Sequence, residues 1–164
     1  MNERDGCFFD FVESLNQQNE KGVIAALNFP HVTHANGKDP VVFRDGDTYW
    51  KFLKIQIEKM KEQGWSYSKI ENLEKIFQTE NTSYSTIEFT RYTREGLKIS
   101  SARGVWIATF RQNKWGMQMR SAYPTSGSVS FLGGQSKWCK NYLLWFRYVN
   151  QTLTSHTLIW LSWV

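Results

Sequence analysis

The first hydrophobic residues of the chain recur at the spacing of an α-helix. Four of them lie at positions i, i+3, i+4 and i+7, namely Phe8, Phe11, Val12 and Leu15. This spacing places the four side chains on one side of a helix, which we predict from about residue 6 to about residue 17. The helix therefore has one face to bury against another layer of structure.

A second, shorter helix is predicted directly after the first. Asn19 is a favoured N-cap residue, and Val23, Ile24 and Leu27 follow it on one face. Pro30 is expected to end this helix, because proline lacks a backbone N–H group and restricts the conformation of the preceding residue.

Short extended segments separate the second helix from a third. A strand is predicted at 31–35 and its partner at 41–43, joined by an Asn-Gly turn at 36–37. Asp47 is expected to cap the third helix and Gly64 to end it. The apolar side chains of this helix again share one face: Trp50, Leu53, Ile57 and Met60.

After residue 65 the hydrophobic period changes towards two, as in β-strands. Three strands are predicted at 83–92, 97–111 and 115–123, joined by hairpin-sized loops. The segment 66–79 has apolar residues spaced by three, which fits a helix as well as a bulged strand. We interpret it as a strand, because the sheet would otherwise be short for covering three helices. The pattern thus predicts an α+β fold, with helices packed on an antiparallel sheet.

Composition suits one domain with a substantial core, since the chain has 164 residues of which 41% are hydrophobic. The formal net charge of +5 is misleading, because residues 1–123 carry 17 basic and 15 acidic side chains, a net of +2. No basic stripe or nucleic-acid motif accompanies this nearly neutral body, so no nucleic-acid partner is expected.

Residues 124–164 differ from the rest of the chain. They contain no Asp or Glu, hold half of the tryptophans and begin with a linker-like Pro-Thr-Ser-Gly sequence. We predict a domain at 1–123 and an atypical aromatic tail at 124–164. We favour a frameshifted or read-through end, non-native or disordered, over the alternative of a genuine apolar appendage that packs on a partner or a membrane surface.

The location of the protein is predicted from what the sequence does not contain. The apolar segment 142–164 is interrupted by Arg147 and His156, well short of the ~20 apolar residues that a membrane span needs. The first residues do not resemble a secretory signal. Cys7 and Cys139 lack the spacing of a metal site and are expected to be free thiols. We therefore expect a cytoplasmic protein with no membrane span, no metal and no cofactor.

Four segments of the chain resemble the nuclear transport factor 2-like superfamily: Ser14–Asn19, Ala26–Val32, Phe89–Tyr92 and Trp115–Ser121. The resemblance covers residues 8 to about 123, and the chain is similar to small bacterial members of unassigned function. These are related in fold to SnoaL-like polyketide cyclases and ketosteroid isomerases. The resemblance implies a strongly curved sheet that forms a cone with the helices, an internal pocket, and frequently a homodimer through the sheet face.

His31 is the candidate for general acid or base chemistry. It follows Pro30 at the point where the resemblance places the rim of the pocket, and a histidine pKa near 6.5 suits proton transfer. The alternative is a structural histidine that bonds a backbone carbonyl, which we consider the commoner case because no carboxylate partner is evident nearby.

Arginines within the predicted strands are candidate ligand-binding residues, because a buried guanidinium group needs an anionic partner. Arg91 shares its strand face with Ile87 and Phe89 and is expected to face the core, where it is suited to a carboxylate. The sequence leaves the face of Arg120 open, and outward arginines paired across strands are the favoured interpretation for Arg103 and Arg120.

Two aromatic residues complete the predicted site. Trp50 lies on the third helix, which would roof the pocket, and Tyr92 is placed to orient a carbonyl or carboxylate. Tyr92 shares its face with Glu88, however, and that face is expected to point outward or into a dimer seam. A tryptophan in the position of Trp50 more often belongs to the hydrophobic core than to a surface that stacks on a ligand.

Two functional classes follow from these observations. The leading hypothesis is a small-molecule-binding domain, because a pocket follows from the fold whereas no catalytic constellation follows from the residues. The alternative is an isomerase, cyclase or dehydratase that acts on a small carbonyl or carboxylate compound through His31. A homodimer packed through the sheet face is expected in either case, since both faces of the 97–111 strand carry apolar side chains.

Overall fold

The computed structural model describes residues 3–35 and 38–126, which form three helices and six strands. The helices are α1 (Glu3–Asn16), α2 (Glu20–Ala25) and α3 (Gly46–Glu62). The strands are β1 (Leu27–Ala35), β2 (Val41–Phe43), β3 (Tyr67–Gln78), β4 (Thr82–Tyr92), β5 (Lys98–Arg111) and β6 (Lys114–Ser126). The predicted α+β class is confirmed.

The six strands form one sheet in the order β2-β1-β6-β5-β4-β3. The long strands β3 to β6 are a meander of antiparallel neighbours, and β1 and β2 form an antiparallel hairpin at the other side. β6 joins the two parts by pairing in parallel with β1. The sheet is thus mixed rather than wholly antiparallel as predicted, because β6 returns beside β1 in the same direction.

The helices α1 and α3 cover one face of the sheet. We call this face, which carries Trp106, the inner face. Trp106 is almost fully buried, and its ring makes edge contacts with Phe8 and Phe11 of α1 at centroid distances of 5.7 and 6.1 Å. Phe89 of β4 packs beside it at 5.8 Å. The apolar face predicted for the first helix therefore packs on the middle of the sheet.

Two bulges in β3 explain why its apolar residues are spaced by three. The pairing of β3 with β4 slips between Ile70 and Asn72, and again between Lys75 and Phe77. Because a bulge adds one residue to one strand, Ile70 and Leu73 both pack against the core despite their odd separation. The interpretation of segment 66–79 as a strand is confirmed.

Two predicted boundaries were wrong. Helix α2 ends at Ala25, and Pro30 lies inside β1 instead of ending the helix. The pairing of β1 with β6 is irregular between Leu27 and Val32, so the absent N–H group of Pro30 removes no bond of the ladder. The cap of α3 is Asp45, not Asp47, because the Asp45 carboxylate accepts a hydrogen bond from the backbone N–H of Thr48 at 2.8 Å.

Strand β6 extends past the predicted end at Tyr123. Pro124 is paired with Ala102 of β5, at a point where the ladder with β1 has already stopped at Ala122. The Asn-Gly turn at 36–37, Cys139 and residues 127–164 lie outside the described part of the chain, so the domain boundary and the character of the tail stay predictions. In the described part, no helix is long and apolar enough to cross a membrane, and Cys7 is a free, buried thiol.

The backbones of β5 and β6 lie very close together at Gly104, and a substitution of this glycine tests their packing. A Cβ atom at Gly104 would collide with the backbone carbonyl oxygen of Ser121, whereas one at Gly6 of α1 would meet nothing within 4 Å. We expect Gly104→Ala to lower the free energy of unfolding by about 1–3 kcal/mol, as overpacking does. Gly6→Ala should raise it by up to about 1 kcal/mol, because alanine is the better helix former. Urea denaturation of both variants measures this, and equal effects would contradict the register of β5 on β6.

Candidate functional site

A small cavity lies between α1, α3 and the inner face of the sheet. Its volume is about 30 Å³. Its walls come from both helices and four strands, and are formed by Phe11, Val12, Leu15, Leu53, Gln56, Met60, Ser68, Phe89, Arg91, Trp106 and Arg120. Most of the lining is apolar, and its polar members come from separate parts of the sequence.

Arg91 is the most deeply buried cation of this site. It lies on the inner face of β4 with a relative exposure of 6%, between Ser68 of β3 and Ser100 of β5. Its Nη1 atom has no hydrogen-bond partner, and within the described residues it forms no ion pair. Burial, and secondarily the charge of Arg120, lower the pKa of Arg91 to about 10. Among residues 3–35 and 38–126, the Arg91 charge therefore has no counter-ion.

Arg120 reaches the same cavity from β6. A bulge in the pairing of β5 with β6 places Met117 and Arg120 on the inner face together, with Arg120 opposite Trp106. The guanidinium group lies 5.3 Å from the centroid of the Phe11 ring, and Nη2 donates to the Tyr49 hydroxyl at 3.3 Å. Its Nε atom has no hydrogen-bond partner among the described residues. Counting alternate residues along β6 could not show from the sequence which face carries Arg120. The outward position with cross-strand pairing, which the sequence favours for Arg120, does not occur.

Ser68 and Gln56 are polar cavity residues that the sequence analysis missed. The backbone of Ser68 exchanges hydrogen bonds with the Asn16 side chain at 2.7 and 2.9 Å, which ties the end of α1 to β3. Ser68 Oγ accepts the Trp65 indole N–H at 2.9 Å, so its own hydroxyl proton remains available to donate.

Gln56 had a signal in the sequence. It is the polar member of an otherwise apolar stripe on α3, three residues after Leu53, and it is 7% exposed. Its amide adds a further N–H donor to the two guanidinium groups and the Ser68 hydroxyl. No Asp or Glu lines the cavity, and within the described residues no group of three His, Cys, Asp or Glu side chains is arranged to hold a metal ion. The site is therefore rich in donors and has no negative charge of its own.

His31 does not line this cavity. It is fully buried in β1, where Nδ1 lies 3.1 Å from the backbone oxygen of Met117 and the ring contacts Tyr49 edge-on at 5.1 Å. Because a carbonyl oxygen only accepts, Nδ1 carries the proton and donates it, and Nε2 is left without a partner. Burial, followed by the charge of Arg120, lowers the pKa of His31 to about 3. The contacts are those of a neutral structural histidine, which is the alternative to a general acid or base.

Tyr92 and Trp50 also lie away from the cavity. Tyr92 is on the outer face of β4, where its hydroxyl donates to the Glu71 carboxylate at 2.6 Å and its ring stacks on Tyr67 at 5.1 Å. This outward direction follows from the alternation of β4, in which Arg91 occupies the inner face. Trp50 is largely buried and borders a separate surface depression beside Ile55. Of the five predicted site residues, the structure brings together Arg91 and Arg120.

The buried neutral state of His31 predicts a specific pH dependence of stability. The unfolded chain takes up a proton near pH 6.5, whereas the folded chain does not until about pH 3. The buried neutral His31 therefore costs no stability above pH 6.5. Below that pH the free energy of unfolding falls by up to about 1.4 kcal/mol per pH unit. Urea denaturation between about pH 7 and about pH 4.5 measures this slope.

His31→Asn should flatten that slope, because an amide can still donate to Met117 but does not titrate. His34→Asn is the matched control, since His34 lies on the same strand and contacts Ser121 Oγ at 2.9 Å on the outer face. It should retain the slope of the wild type. Equal slopes in all three proteins would contradict the placement of His31.

Comparisons with known proteins find likeness in structure alone. No protein-family model matches the chain, and no curated protein matches it in sequence. A cystatin-like protein of unknown function from Nostoc punctiforme superposes with a TM-score of 0.61 at 12% identity, over 74% of this chain and 88% of that one. A nuclear transport factor 2-like protein from Novosphingobium aromaticivorans gives 0.62 at 8% identity, over 79% and 84%.

A ketosteroid isomerase-like protein from Erwinia carotovora gives a TM-score of 0.55 at 11% identity, over 76% of this chain and 95% of that one. Identities this low establish the fold and leave the activity open, because one fold supports many functions. All three superpose over at least 74% of this chain and at least 84% of their own length. The chain therefore has the cystatin-like fold of the nuclear transport factor 2-like proteins.

Proposed function

We propose that this protein is a small-molecule-binding domain, and that its ligand is an anion held between Arg91 and Arg120. The observation that carries the proposal is the buried Arg91 guanidinium, which lacks any acidic partner in the described part of the chain. Two further donors, Ser68 and Gln56, line the same cavity. An anion in this position would receive several charge-assisted hydrogen bonds at once.

The energetics of burial support an anionic ligand over a neutral one. Removing a guanidinium group from water is expensive unless an opposite charge and hydrogen bonds compensate for the lost hydration. Arg103, the outward arginine of β5, has such compensation from Glu74 at 3.4 Å, although both side chains are exposed. Arg91 is far more buried, and no acidic side chain of the described segments compensates for its charge. A bound anion supplies the missing charge.

The enzymatic alternative depends on His31, and no contact favours it. A general acid or base must reach the reacting group of the ligand. His31 is not among the residues that line the cavity, and neither is any carboxylate or other histidine. We therefore propose binding and derive no isomerase, cyclase or dehydratase reaction. The cytoplasmic location expected from the sequence stays a prediction.

We further propose a homodimer through the outer face of the sheet, which lies opposite Trp106. Five apolar side chains form one continuous row across five neighbouring strands, as the strand registers show: Val32, Met119, Ile107, Tyr84 and Phe77. Phe77 is 60% exposed and contacts Tyr84, which is 36% exposed. A row of this length on a monomer surface is suited to burial against a second copy.

The anion proposal predicts a loss of binding in Arg91→Met. Methionine keeps much of the apolar volume and removes the charge, so the affinity for any bound anion should fall at least tenfold, since a charge-assisted hydrogen bond contributes about 1.5–3 kcal/mol. Calorimetric titration of the full chain with acetate, hexanoate, benzoate and inorganic anions measures this. Arg103→Met is the matched control, because it removes the same charge outside the cavity and should leave affinity unchanged. Equal losses in both variants would indicate a general charge effect and contradict the site.

The dimer proposal predicts that a charge at the centre of the apolar row separates the subunits. Ile107→Glu should convert a particle of twice the chain mass into one of the chain mass, because two carboxylates would be buried face to face. Ile55→Glu is the control, since Ile55 is 56% exposed on α3, away from the outer face. Light scattering at micromolar concentration measures both. A wild-type monomer, or a dimer that survives Ile107→Glu, would refute this interface.

A further inference from the structure

We infer that the ligand of this site is a compact anion, of the size of a halide ion, formate or nitrate, and not an extended organic acid. The inference rests on the proposed anion-binding function and adds a size limit to it. Three features of the cavity carry it: its volume, the distribution of its donors and the identity of its walls.

The volume is the first feature. The cavity measures about 30 Å³, roughly a fifth of the ~150 Å³ of an engineered apolar cavity that admits benzene. A halide ion, nitrate or formate occupies a space of this order. A benzoate ring or a six-carbon chain does not, unless the walls move.

The donors are the second feature. Arg91, Arg120 and Ser68 border the cavity from the inner face of the sheet, and Gln56 borders it from α3, so donor groups lie on two opposite sides of it. An extended amphipathic acid is better served by donors at one end and apolar walls at the other. Donors distributed around a small space favour an ion that accepts hydrogen bonds in all directions.

The walls are the third feature. Phe11, Leu53, Phe89 and Trp106 lie in the main core cluster, and Met60 closes the cavity from the last turns of α3 with 3% exposure. Well-packed core side chains give little room without a cost in stability. Met60 is the adaptable member, because its unbranched side chain has several rotatable bonds. It is therefore the residue that sets the upper size of the ligand.

Two larger depressions on the described surface are less suitable for an anion. One, of about 330 Å³, is bordered by Asp10 and Glu13, whose charges repel anions. The other, of about 310 Å³, places Glu58 beside Lys54 and has no buried cation. Neither contains an unpartnered guanidinium group, so the compact cavity is the better site although it is smaller.

The test is a size series on the full chain. Thermal melting is followed with sodium salts of chloride, nitrate, formate, acetate, hexanoate and benzoate at constant ionic strength, with gluconate as the bulky reference anion. Chloride, nitrate and formate should raise the midpoint saturably, as any ligand of the folded state does. Hexanoate, benzoate and gluconate should not. The rise should be absent in Arg91→Met and present in Arg103→Met.

A gain-of-function variant tests the size limit directly. Met60→Ala shortens the side chain that closes the cavity, so acetate should gain affinity at least tenfold relative to formate, although the variant is less stable. If Arg91→Met does not fold, chloride-35 NMR line broadening of the wild type, reversed by nitrate, reports binding without any variant.

The outcomes separate the two proposals. Binding of formate and nitrate that requires Arg91, with exclusion of benzoate, supports both. Binding of hexanoate or benzoate that requires Arg91, without binding of the small anions, overturns the size limit and leaves the anion-binding function in place. No Arg91-dependent stabilisation by any salt, together with no chloride line broadening, overturns both.

Discussion

Burial of Trp106 is the interaction on which the rest of this structure depends. Its indole lies at the middle of the inner face, where Phe8 and Phe11 of α1 pack on it and Phe89 packs beside it. The same position fixes the site, because Arg120 is the cross-strand neighbour of Trp106 on β6. Aromatic edge contacts of this kind contribute about 0.5–1.5 kcal/mol each beyond the buried area. The packing that holds the helices on the sheet therefore also brings the two arginines to one cavity.

Most elements of the fold could be predicted, because their signals are local. Phe8, Phe11, Val12 and Leu15 define α1 by spacing alone, and the alternation of β4 correctly placed Arg91 inside and Tyr92 outside. The failures have local causes as well. Proline interrupts helices, so the sequence predicts a helix end at Pro30, yet an irregular stretch of strand pairing tolerates its missing donor equally well.

The site was less predictable, because it depends on bulges and on contacts between distant segments. A bulge on β6 shifts the alternation by one residue, so the face of Arg120 could not be deduced by counting. Ser68 joins the site through Asn16, which is remote in sequence. His31 was attractive because of its chemistry and its position after Pro30, but only the structure reveals that Met117 binds its Nδ1 and that it lies off the cavity. The residue type alone indicated the arginines as candidates, whereas the tertiary packing determines that Arg91 and Arg120 line the same cavity.

The central claim is that a small anion occupies the space between the Arg91 and Arg120 guanidinium groups. Bromide tests it most directly, because it is compact, accepts hydrogen bonds in all directions and scatters X-rays anomalously. Crystals of the full chain grown or soaked in sodium bromide should give an anomalous difference peak inside the cavity, within hydrogen-bond distance of Arg91 Nη1 and Arg120 Nε. Peaks confined to the protein surface at saturating bromide, with an empty or water-filled cavity, would contradict the account.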